Sequence, residues 1–595
     1  MASSYISNLT THVLARPSHS YINIISNGSQ YQLYSTKPNA IITMAHVTTT
    51  NKPPIVRRSA NYPPSQWSYD YLQSLVTTSY VGEKYKTSRL KDKVRTMISN
   101  ETAVEGTLEL VDDLQRLGIS YHFQDEISNA LKMIYSCYYE THQKWNRLDL
   151  NLKSLGFRLL RQHGYHVPQE IFEDIKDETG NIKADISEDI VGMLNLYEAS
   201  FHATEDENIL DEAREFTTKC LKEKLEKNEI VDESTSMLVS HALDLPLHWM
   251  IQRFEAIWFI EAYRKTSNMK PALLELAQLD FNIVQGIHQE DLKYSSRWWD
   301  GLGWDKKLSF ARDRLVESFM WSVGSRHEPP FGDIRKNITK LISIVNVVDD
   351  VYDVYGTLDE LEQFTHVVKR WDINAIEELP DYMKICFLGF YNTINEMAYN
   401  ALKGQESLVI PYVKKAWADY CDANLVEARW FNSGYTPTLE EYLKNSCITI
   451  SVPVIITNAY FCGSTEDINA DEALNNLIHL SAMILRLTDD LGTSSAELKR
   501  GDVPKAVECY MHETGASEEK ARTYIRKLIM ETWKKINKEK MGLKSPSSRI
   551  FAECAINLGR MGHFTYQRGD IFGSPDDLYT SHEMSLLFTP KSYHI

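Results

Sequence analysis

Several features that mark common protein classes are missing from this chain of 595 residues. The eight cysteines are scattered without a CxxC pair, which fits neither a zinc site nor a disulfide framework and indicates a reducing compartment. A basic excess is also absent: the formal net charge is −17, which argues against nucleic acid as the main partner. No run reaches the roughly 20 apolar residues of a membrane span. The nearest, Cys447 to Cys462, is interrupted by Thr, Ser, Pro and Asn, so we predict a buried helix there and no membrane span.

Acidic residues are missing from the start of the chain. Residues 1–56 contain no Asp or Glu, are rich in Ser, Thr and Asn, and carry only Arg16, Lys37 and Lys52 as cations. This composition is typical of organelle transit peptides, whereas a secretory signal needs an apolar core of roughly 7 to 15 residues, which is absent. We predict a plastid transit peptide over residues 1–56 and a location in the chloroplast stroma. A retained disordered tail is the alternative.

Helical periodicity dominates the rest of the sequence. From about Trp67 onward apolar residues recur at three- and four-residue steps, and strand-like alternation is rare. No repeat of solenoid period is present. The sequence therefore predicts an all-α fold, and one stretch shows the helical spacing clearly: Leu273, Leu276, Leu279, Ile283 and Ile287.

The length of the chain predicts two large domains, because a single hydrophobic core stops growing at roughly 250–300 residues. A polar stretch from Arg264 to Pro271 separates two helical arrays, and we place the domain boundary there. The predicted domains cover residues 57–268 and 269–595.

Two acid clusters are the most informative residues in the second predicted domain. On a helix, Asp349 and Asp353 of the sequence DDVYD share one face, whereas Asp350 points elsewhere. Magnesium is a hard cation that prefers carboxylates, water and phosphate oxygens. These spacings predict a magnesium trap for a diphosphate. In the second cluster, DDLGTSSAE, the oxygen ligands stand at i, i+4 and i+8: Asp489, Thr493 and Glu497.

Both clusters follow apolar helical runs. Leu341 to Val348 precede the first cluster and Ala482 to Leu485 precede the second. One such cluster alone could equally be a solvated helix end, because burying unpaired carboxylates is costly. Two buried helices that both end in metal-type ligands make coincidence the weaker account.

Cations and aromatic residues near these elements complete the candidate site. Arginine forks bind phosphate oxygens bidentately, and aromatic faces stabilise cations. An imidazole or a phenol can also accept a proton. An ordinary ion pair or core packing is the alternative for each residue taken singly, apart from Arg486, which lies on the helix of the second cluster. The candidates for diphosphate binding are Arg312, Arg314, Arg486 and Lys505, and those for the pocket are Trp321, His563 and Tyr566.

At these residues the chain resembles the plant class I terpene synthases, specifically the angiosperm monoterpene synthase clade. The resemblance covers Arg57 to the C-terminus and rests on RRSANYPPSQW, FARDRLVES, VVDDVYDVYGTLDE, LRLTDDLGTSSAELKRGDVPK and YQRGD. It implies an N-terminal α-barrel domain without activity of its own and a C-terminal class I terpenoid synthase domain. It assigns metal binding to Asp349, Asp350, Asp353, Asp489, Thr493 and Glu497, diphosphate binding to Arg312, Arg486 and Lys505, and an active-site cap to Arg57, Arg58 and Trp67.

The resemblance also implies the reaction. Three Mg²⁺ ions, with Mn²⁺ as an alternative, remove diphosphate and leave an allylic carbocation in a closed pocket. The expected enzyme is a monomer that converts geranyl diphosphate to a cyclic or acyclic monoterpene, either a hydrocarbon or an alcohol such as linalool or α-terpineol. Paired arginines favour cyclisation by family analogy. No DxDD motif occurs in residues 57–268, which argues against a protonation-initiated reaction.

Three pocket candidates depart from patterns in relatives. Asn346 stands where relatives commonly have Thr, and its amide could hold a water for capture by the carbocation, which favours an alcohol product. Ile342 and Leu485 are aliphatic where isoprene-forming relatives have Phe, so a five-carbon substrate is disfavoured.

Three alternatives remain open from the sequence. A sesquiterpene synthase acting on farnesyl diphosphate would share the motifs, but the acid-free leader argues against it. A chain-elongating prenyl transferase would need a second DDxxD cluster, whereas this chain has Thr493 and Glu497. A catalytically silent helical scaffold would share the fold, but the intact ligand set argues against it.

Overall fold

The chain divides by its internal packing into two compact units, Met1–Val56 and Arg57–Ile595. The computed structural model describes residues 26–27, 30–31, 57–76, 83–404, 408–464, 471–500, 503–569, 572 and 576–592. Side chains are described in these ranges except at 26–27, 30–31, 84, 142–143, 404 and 495–500.

The described part of the first unit is a short antiparallel pair of strands. Strand β1 (Ser26–Asn27) pairs with β2 (Gln30–Tyr31), with Ser26 opposite Tyr31. The rest of the predicted transit peptide, residues 1–56, lies outside the described residues.

The elements described in the second unit are helices, apart from one isolated bridge between Lys176 and Ile182, and the all-α prediction is confirmed. Its first half contains α1 (Tyr69–Ser74), α2 (Lys84–Asn100), α3 (Val104–Arg116), α4 (Gln124–Ile134), α5 (His142–Trp145), α6 (Leu150–Gln162), α7 (Ile190–Ser200), α8 (Asn208–Glu226), α9 (Glu233–Asp244) and α10 (Gln252–Tyr263).

Longer helices follow in the second half, where both acid clusters lie. They are α11 (Pro271–Leu302), α12 (Trp304–Lys307), α13 (Leu315–Ser325), α14 (Gly332–Asp350), α15 (Leu358–Arg370), α16 (Asp381–Gly404), α17 (Ile410–Ser433), α18 (Leu439–Thr449), α19 (Val452–Gly463), α20 (Glu472–Arg500), α21 (Ala506–Thr514), α22 (Glu518–Glu539), α23 (Pro546–Tyr566) and α24 (Asp577–Glu583). Short 3₁₀ segments connect several helices, and π-helical turns occur at Tyr135–Tyr139, Val351–Tyr355 and Met584–Phe588.

Helix α11 links the two large hydrophobic cores of this unit. Its early residues, from Leu273 to Phe281, pack with α2 to α10, whereas Leu292 and Trp299 pack with the later helices. The loop between α10 and α11 coincides with the polar stretch noted in the sequence. The change from one core to the other falls inside α11, between Phe281 and Leu292, and the domain boundary at residues 268 and 269 stays a prediction.

Local sequence fixes the ends of the helices that matter for the site. Helix α11 begins with Pro271 in its first turn and ends at Gly303, whose φ of 62° is left-handed. Helix α15 begins with a capping box in which the Thr357 side chain and the Glu360 side chain each bind the other residue's backbone N–H. The box fixes Glu360 at the start of α15, just after the first acid cluster.

A break separates α18 from α19 in the most apolar part of the chain. By length and composition alone Leu439–Gly463 is long and apolar enough to cross a membrane, but 61% of its apolar window is buried inside the protein, in agreement with the predicted buried helix. Ser451 adopts a φ of 71°, and Pro453 lies in the first turn of α19. A left-handed residue with a Cβ costs roughly 1–2 kcal/mol. The break directs Ser446 and Thr449, at the end of α18, towards the helix of the second acid cluster.

Two glycines allow α20 and α23 to pack closely. A Cβ at Gly492 would lie 2.5 Å from the Tyr566 carbonyl oxygen, and one at Gly562 would lie 2.5 Å from Thr488 Oγ1. Any side chain at these positions would force the helices apart. The close approach places the end of α23 beside the second acid cluster.

Candidate active site

The first acid cluster lies where α14 passes into the π-helical turn Val351–Tyr355. The Asp349 side chain is 27% exposed, whereas that of Asp350 is fully buried. Successive residues of a helix differ by about 100° in direction, so the two carboxylates leave the helix on different faces. Only Asp349 of this pair is open to a ligand.

Arg312 binds both carboxylates from the segment before α13. Its backbone N–H donates to Asp350 Oδ2 (2.8 Å), its Nε donates to Asp350 Oδ1 (3.0 Å), and its guanidinium also contacts Asp349. Burial lowers the pKa of Arg312, but Asp350, Tyr62 and Asp349 outweigh burial and hold that pKa well above its ordinary value. The prediction of Asp350 as a metal ligand is therefore corrected: its oxygens face the core and bind Arg312.

Asp353 lies one turn beyond Asp349 and is exposed to solvent. Desolvation by the protein around it and the charge of Asp349 raise the pKa of Asp353 well above its ordinary value, whereas Lys505 lowers it. Lys505, at the start of α21, thus lies within electrostatic reach of the first cluster although it follows the second in sequence. The first acid cluster and the predicted diphosphate-binding Lys505 are therefore neighbours.

The second acid cluster lies in the middle of α20. Arg486 donates to Asp489 Oδ2 (3.1 Å) and to Asp490 Oδ1 (3.4 Å), and it also contacts the Thr449 hydroxyl (3.3 Å). Burial lowers the pKa of Arg486, but Tyr442 and the carboxylates hold it well above its ordinary value. Thr493 Oγ1 donates to the Asp489 carbonyl (2.9 Å). Glu497 follows one turn later in α20, and its side chain lies outside the described residues.

Glu427 of α17 lies between the two clusters, and sequence reasoning missed it. Its charge raises the pKa of Asp353 in the first cluster and that of Arg486 in the second. Its Oε1 accepts hydrogen bonds from Thr449 (2.7 Å) and Asn445 (3.2 Å). The sequence gives no clear signal for Glu427, because α17 also contains Asp419 and Asp422.

Arg314 is more deeply buried than we predicted for a diphosphate ligand. Its side chain is 1% exposed. Its Nε donates to the Phe572 carbonyl (3.3 Å), its Nη1 to the Asp313 carbonyl (2.8 Å) and its Nη2 to the Pro63 carbonyl (3.1 Å). The guanidinium is thus bound by backbone oxygens, and the prediction of a diphosphate contact is corrected to a contact with the N-terminal segment.

The three predicted aromatic and imidazole residues separate into two places. Trp321 packs edge-on against Tyr566 (6.4 Å between ring centroids) and Phe572 (5.8 Å). His563 instead stacks on Trp249 (4.5 Å) and accepts a hydrogen bond from Trp533 Nε1 (3.0 Å). Burial lowers the pKa of His563 to about 3. The contacts of His563 are those of core packing, so its predicted place in the pocket is corrected.

The pocket candidates Ile342, Asn346 and Leu485 lie in the same core as both acid clusters. Ile342 and Asn346 are one turn apart on α14, and Asp349 follows about one turn after Asn346. Asn346 is 9% exposed, and its Nδ2 donates to Ser318 Oγ (3.3 Å). Leu485 lies on α20 one residue before Arg486. The three residues therefore belong to α14 and α20, the same helices that carry the metal-type ligands.

Residues 57–76, which we name the cap segment, cross the second half of the unit. Arg57 donates to both oxygens of Glu360 (2.9 Å each) and to the Tyr355 carbonyl (2.8 Å). Its guanidinium also lies over the rings of Tyr355 and Tyr382. Arg58 lies over Phe431 (4.4 Å). Tyr355 belongs to the same π-helical turn as Asp353, so the cap segment is anchored to the element that carries the first cluster.

Further contacts hold the cap segment along its length. The Arg312 guanidinium lies over the ring of Tyr62, 5.1 Å from the ring centroid. Sequence reasoning did not single out Tyr62. Trp67 donates from Nε1 to Glu583 Oε2 (3.3 Å) and packs on Phe588 (4.7 Å). Arg57, Tyr62 and Trp67 therefore attach the segment to three separate elements.

Glu360→Gln is expected to lower the free energy of unfolding by about 1 kcal/mol at pH 7, because Arg57 loses a partly exposed ionic partner. Burial raises the pKa of Glu360, but Arg57, Thr357 and Tyr382 bring it down to about 2. A lowered pKa contributes stability that is complete above the unfolded value near 4.5 and is lost as pH falls towards 2. Urea unfolding at pH 7 and pH 3 measures this difference.

The control for this prediction is Glu362→Gln, which removes an exposed acid of the same helix that pairs with Arg429. We expect almost no change from it at either pH. An equal effect of Glu360→Gln at pH 7 and pH 3 would contradict the assigned ion pair.

The oxygen donors of the site fit a divalent metal. Asp349 and Asp353 stand one turn apart at a helix end, and Asp489 and Thr493 do the same on α20. Carboxylate and hydroxyl oxygens are hard ligands of the kind that Mg²⁺ accepts together with water and phosphate oxygens. Among the described residues, no three carboxylate, imidazole or thiol groups form a closed metal site by themselves.

Sequence comparison identifies the fold and the site together. The profile described as "Terpene synthase family, metal binding domain" matches residues 300–535, and "Terpene synthase, N-terminal domain" matches residues 66–243. The chain belongs to the terpene synthase family. The metal-binding domain of this terpene synthase contains both acid clusters, and its reaction depends on a divalent metal.

Named relatives span nearly the whole chain. A chloroplastic R-linalool synthase of Artemisia annua is 53% identical over 576 residues, covering 95% of this chain and 96% of that protein. A limonene synthase solved with 2-fluorolinalyl diphosphate superposes with a TM-score of 0.86 at 44% identity, covering 90% of this chain and all of that one. The isoprene synthase of grey poplar (Populus x canescens), solved with three Mg²⁺ ions and dimethylallyl-S-thiolodiphosphate, gives 0.80 at 45% identity, covering 89% and 99%.

Proposed function

We propose that this protein is a plastidial monoterpene synthase that ionises geranyl diphosphate with three bound divalent ions, Mg²⁺ or Mn²⁺, and releases a ten-carbon hydrocarbon or alcohol. The observation that carries the proposal is the convergence of Arg312, Arg486 and Glu427 on two acid clusters beneath an anchored cap segment. Similarity to a chloroplastic R-linalool synthase supports the plastid, and we propose the stroma as the site of action.

Cations of the chain itself bind and neutralise the diphosphate leaving group. Arg312 and Arg486 remain charged at all physiological pH values, and Lys505 lies within reach of the first cluster. Preorganised charges of this kind stabilise the negative charge that develops as the C–O bond breaks. A divalent metal held by Asp349, Asp353, Asp489, Thr493 and Glu497 supplies further Lewis-acid stabilisation when bound.

Exclusion of water protects the carbocation that ionisation leaves behind. Arg57 anchors the cap segment beside the first acid cluster, and Tyr62 contacts Arg312. Closure of this segment over the site would exclude water and favour ionisation over hydrolysis. The Trp321 ring supplies an aromatic face that stabilises a cation. The reaction ends by proton loss or by capture of one water.

Substrate length and domain organisation complete the proposal. Ile342 and Leu485 are buried aliphatic side chains, smaller than an aromatic ring, which favours a substrate longer than five carbons. The relatives and the site give no support to a fifteen-carbon substrate or to a silent scaffold. We propose that residues 1–56 direct import, that residues 57–268 form the N-terminal domain, that residues 269–595 form the catalytic domain, and that the enzyme acts as a monomer.

Product analysis tests this function directly. Residues 57–595 are incubated with geranyl or farnesyl diphosphate, each with and without Mg²⁺, and the products are identified by gas chromatography with mass spectrometry. We expect magnesium-dependent ten-carbon products from geranyl diphosphate. Fifteen-carbon products alone would change the assignment to a sesquiterpene synthase. The absence of any volatile product from folded protein would support the catalytically silent scaffold.

Asn346→Thr is expected to lower the ratio of alcohol to hydrocarbon products severalfold. The Asn346 amide lies one turn before Asp349, and its Nδ2 donates to Ser318, which leaves its carbonyl oxygen to hold a water. Discrimination between competing steps by one pocket group is worth about 1–3 kcal/mol. Leu341→Ile, on the same helix, serves as a core control. An unchanged product ratio in Asn346→Thr would remove Asn346 from this role.

A further inference from the structure

A group of buried ionisable side chains lies beside the cap segment, apart from the two acid clusters. Glu317 of α13 and Glu583 of α24 are only 2% and 1% exposed. Both face one guanidinium, that of Arg314, whose Nε lies 3.8 Å from Glu317 Oε1. Among the described residues, Arg314 is the cation that both buried carboxyl groups face.

Several polar atoms in this group lack a partner at hydrogen-bond geometry. Buried polar groups are paired in the large majority of cases, so a set of unpaired atoms in one place requires an explanation. The Tyr579 hydroxyl connects the set: burial, Glu583 and Glu317 raise its pKa well above the ordinary value, while Trp321 and Thr565 lower it. The unpaired atoms are Glu317 Oε2, Glu583 Oε1, Trp321 Nε1, Thr565 Oγ1 and the Tyr579 hydroxyl.

The group is joined directly to the cap segment. Trp67 Nε1 donates to Glu583 Oε2 (3.3 Å), and Arg314 Nη2 donates to the Pro63 carbonyl (3.1 Å). Arg314 also donates to the Phe572 carbonyl, and Phe572 packs against Trp321. The acids, the cap segment and the aromatic wall are therefore one contact network.

Charge balance decides the state of the two acids. Two ionised carboxylates opposite one Arg314 would leave a buried net negative charge, which is costly, whereas one shared proton leaves the group neutral. Burial raises the pKa of Glu317 to about 7, and burial together with Glu317 raises the pKa of Glu583 to about 9. Asp313 adds a further negative charge beside Glu317 and Arg314, which makes ionisation of both glutamates costlier still. His582 faces Phe254 and Phe564 instead.

We propose that Glu317 and Glu583 are a positioning pair that shares one proton, faces Arg314 with a single negative charge and so holds the cap segment closed beside Trp321. Ordered water completes the hydrogen bonds of the unpaired atoms. The effect on products rests on the proposed function, whereas the effect on the cap segment does not.

The sign of the pH dependence follows from the raised pKa values. Between the unfolded value near 4.5 and about 9, the closed protein binds more protons than a state in which the acids are hydrated. Closure is therefore favoured at low pH and weakens as pH rises through 7 to 9. Above that range Glu317 and Glu583 are both ionised opposite Arg314.

Hydrogen–deuterium exchange of residues 59–72 in the full chain tests the pair without substrate. Corrected for intrinsic rates, exchange in the natural protein is expected to be at least about tenfold faster at pH 9 than at pH 6.5, because the shared proton is lost over this range and linkage weakens closure by up to about tenfold per pH unit. Glu583→Gln keeps an acceptor for Trp67 and is expected to exchange equally at both pH values. Glu583→Leu is expected to exchange about tenfold faster at both.

A matched control and a second variant keep the test decisive. Glu226→Gln removes an exposed acid of α8 and is expected to behave as the natural protein. If Glu583→Leu does not fold, Glu317→Gln replaces it, with the pH dependence expected to disappear. An exchange rate of the natural protein that does not change with pH would overturn the shared proton, and slow exchange in folded Glu583→Leu would overturn the tether.

Product analysis separates positioning from stability. A loosened cap segment admits water, so Glu583→Leu is expected to lower kcat more than it raises KM and to increase the alcohol fraction at least twofold, which a purely structural defect would not do. Unchanged product ratios in folded Glu583→Leu would overturn positioning. Failure of the natural protein to make any ten-carbon product would overturn the proposed function and leave the exchange results standing.

Discussion

Replacing Asp353 by Asn is expected to lower kcat/KM for geranyl diphosphate at least about 100-fold, the largest loss of activity among single changes in this site. The substitution keeps shape but removes the charge of an exposed ligand one turn from Asp349. Electrostatic stabilisation of a developing charge by a metal is worth several kcal/mol, and every 1.36 kcal/mol is about tenfold in rate. Steady-state kinetics with saturating Mg²⁺ measures the loss.

A binding experiment separates loss of the ligand from loss of the fold. Mg²⁺ with inorganic diphosphate is expected to raise the melting temperature of the natural protein, because ligands that bind only the folded state stabilise it. The shift should disappear in Asp353→Asn and persist in Asp359→Asn, which changes an exposed acid at the start of α15. Retention of both the shift and the activity in Asp353→Asn would remove Asp353 from the metal site.

The sequence alone predicted the helical class and the two acid clusters, because both depend on local spacing. Asp489 and Thr493 lie on α20, where a period of 3.6 residues places them on one face. Asp349 lies near the end of α14, and Asp353 lies about one turn later in the π-helical turn that continues it. Spacing also indicated that Asp350 points elsewhere, and the structure gives the reason: its oxygens bind Arg312. The family motif that grouped Asp350 with the ligands does not distinguish these orientations.

Contacts between distant segments could not be predicted from the sequence. Arg57 and Glu360 are 303 residues apart, and Trp67 and Glu583 are 516 residues apart. No local pattern records such partners, because they depend on how packed helices meet. Glu427 was missed for the same reason: its importance follows from the position of α17 between two other helices.

Side-chain direction on a correctly predicted helix was also beyond the sequence. His563 and Tyr566 lie three residues apart on α23, yet Tyr566 packs near Trp321 while His563 stacks on Trp249. Both contacts depend on neighbours from other helices. Arg314 likewise lies two residues from Arg312 but binds the cap segment, because consecutive turns of an irregular segment have no fixed face.

Arg312→Gln is expected to lower the free energy of unfolding by about 3–5 kcal/mol, the largest loss of stability among the changes considered. Asp350 is fully buried and receives both a side-chain and a backbone hydrogen bond from Arg312. Removing one partner of a buried ion pair leaves an uncompensated charge. Urea unfolding measures the change, and Arg429→Gln, which breaks an exposed pair with Glu362, is expected to cost less than about 1 kcal/mol.

Arg312→Lys distinguishes the structural role of Arg312 from its role in diphosphate binding. Lysine keeps the positive charge opposite Asp350 but lacks the fork that contacts Asp349 and Asp350 together. We therefore expect stability between that of the natural protein and that of Arg312→Gln, with activity reduced at least about tenfold. Full activity in Arg312→Lys would show that charge alone suffices, and equal stability of Arg312→Gln and the natural protein would contradict the buried pair. Because the same guanidinium holds the core through Asp350 and faces the ligands through Asp349, loss of stability and loss of catalysis should separate only in the lysine variant.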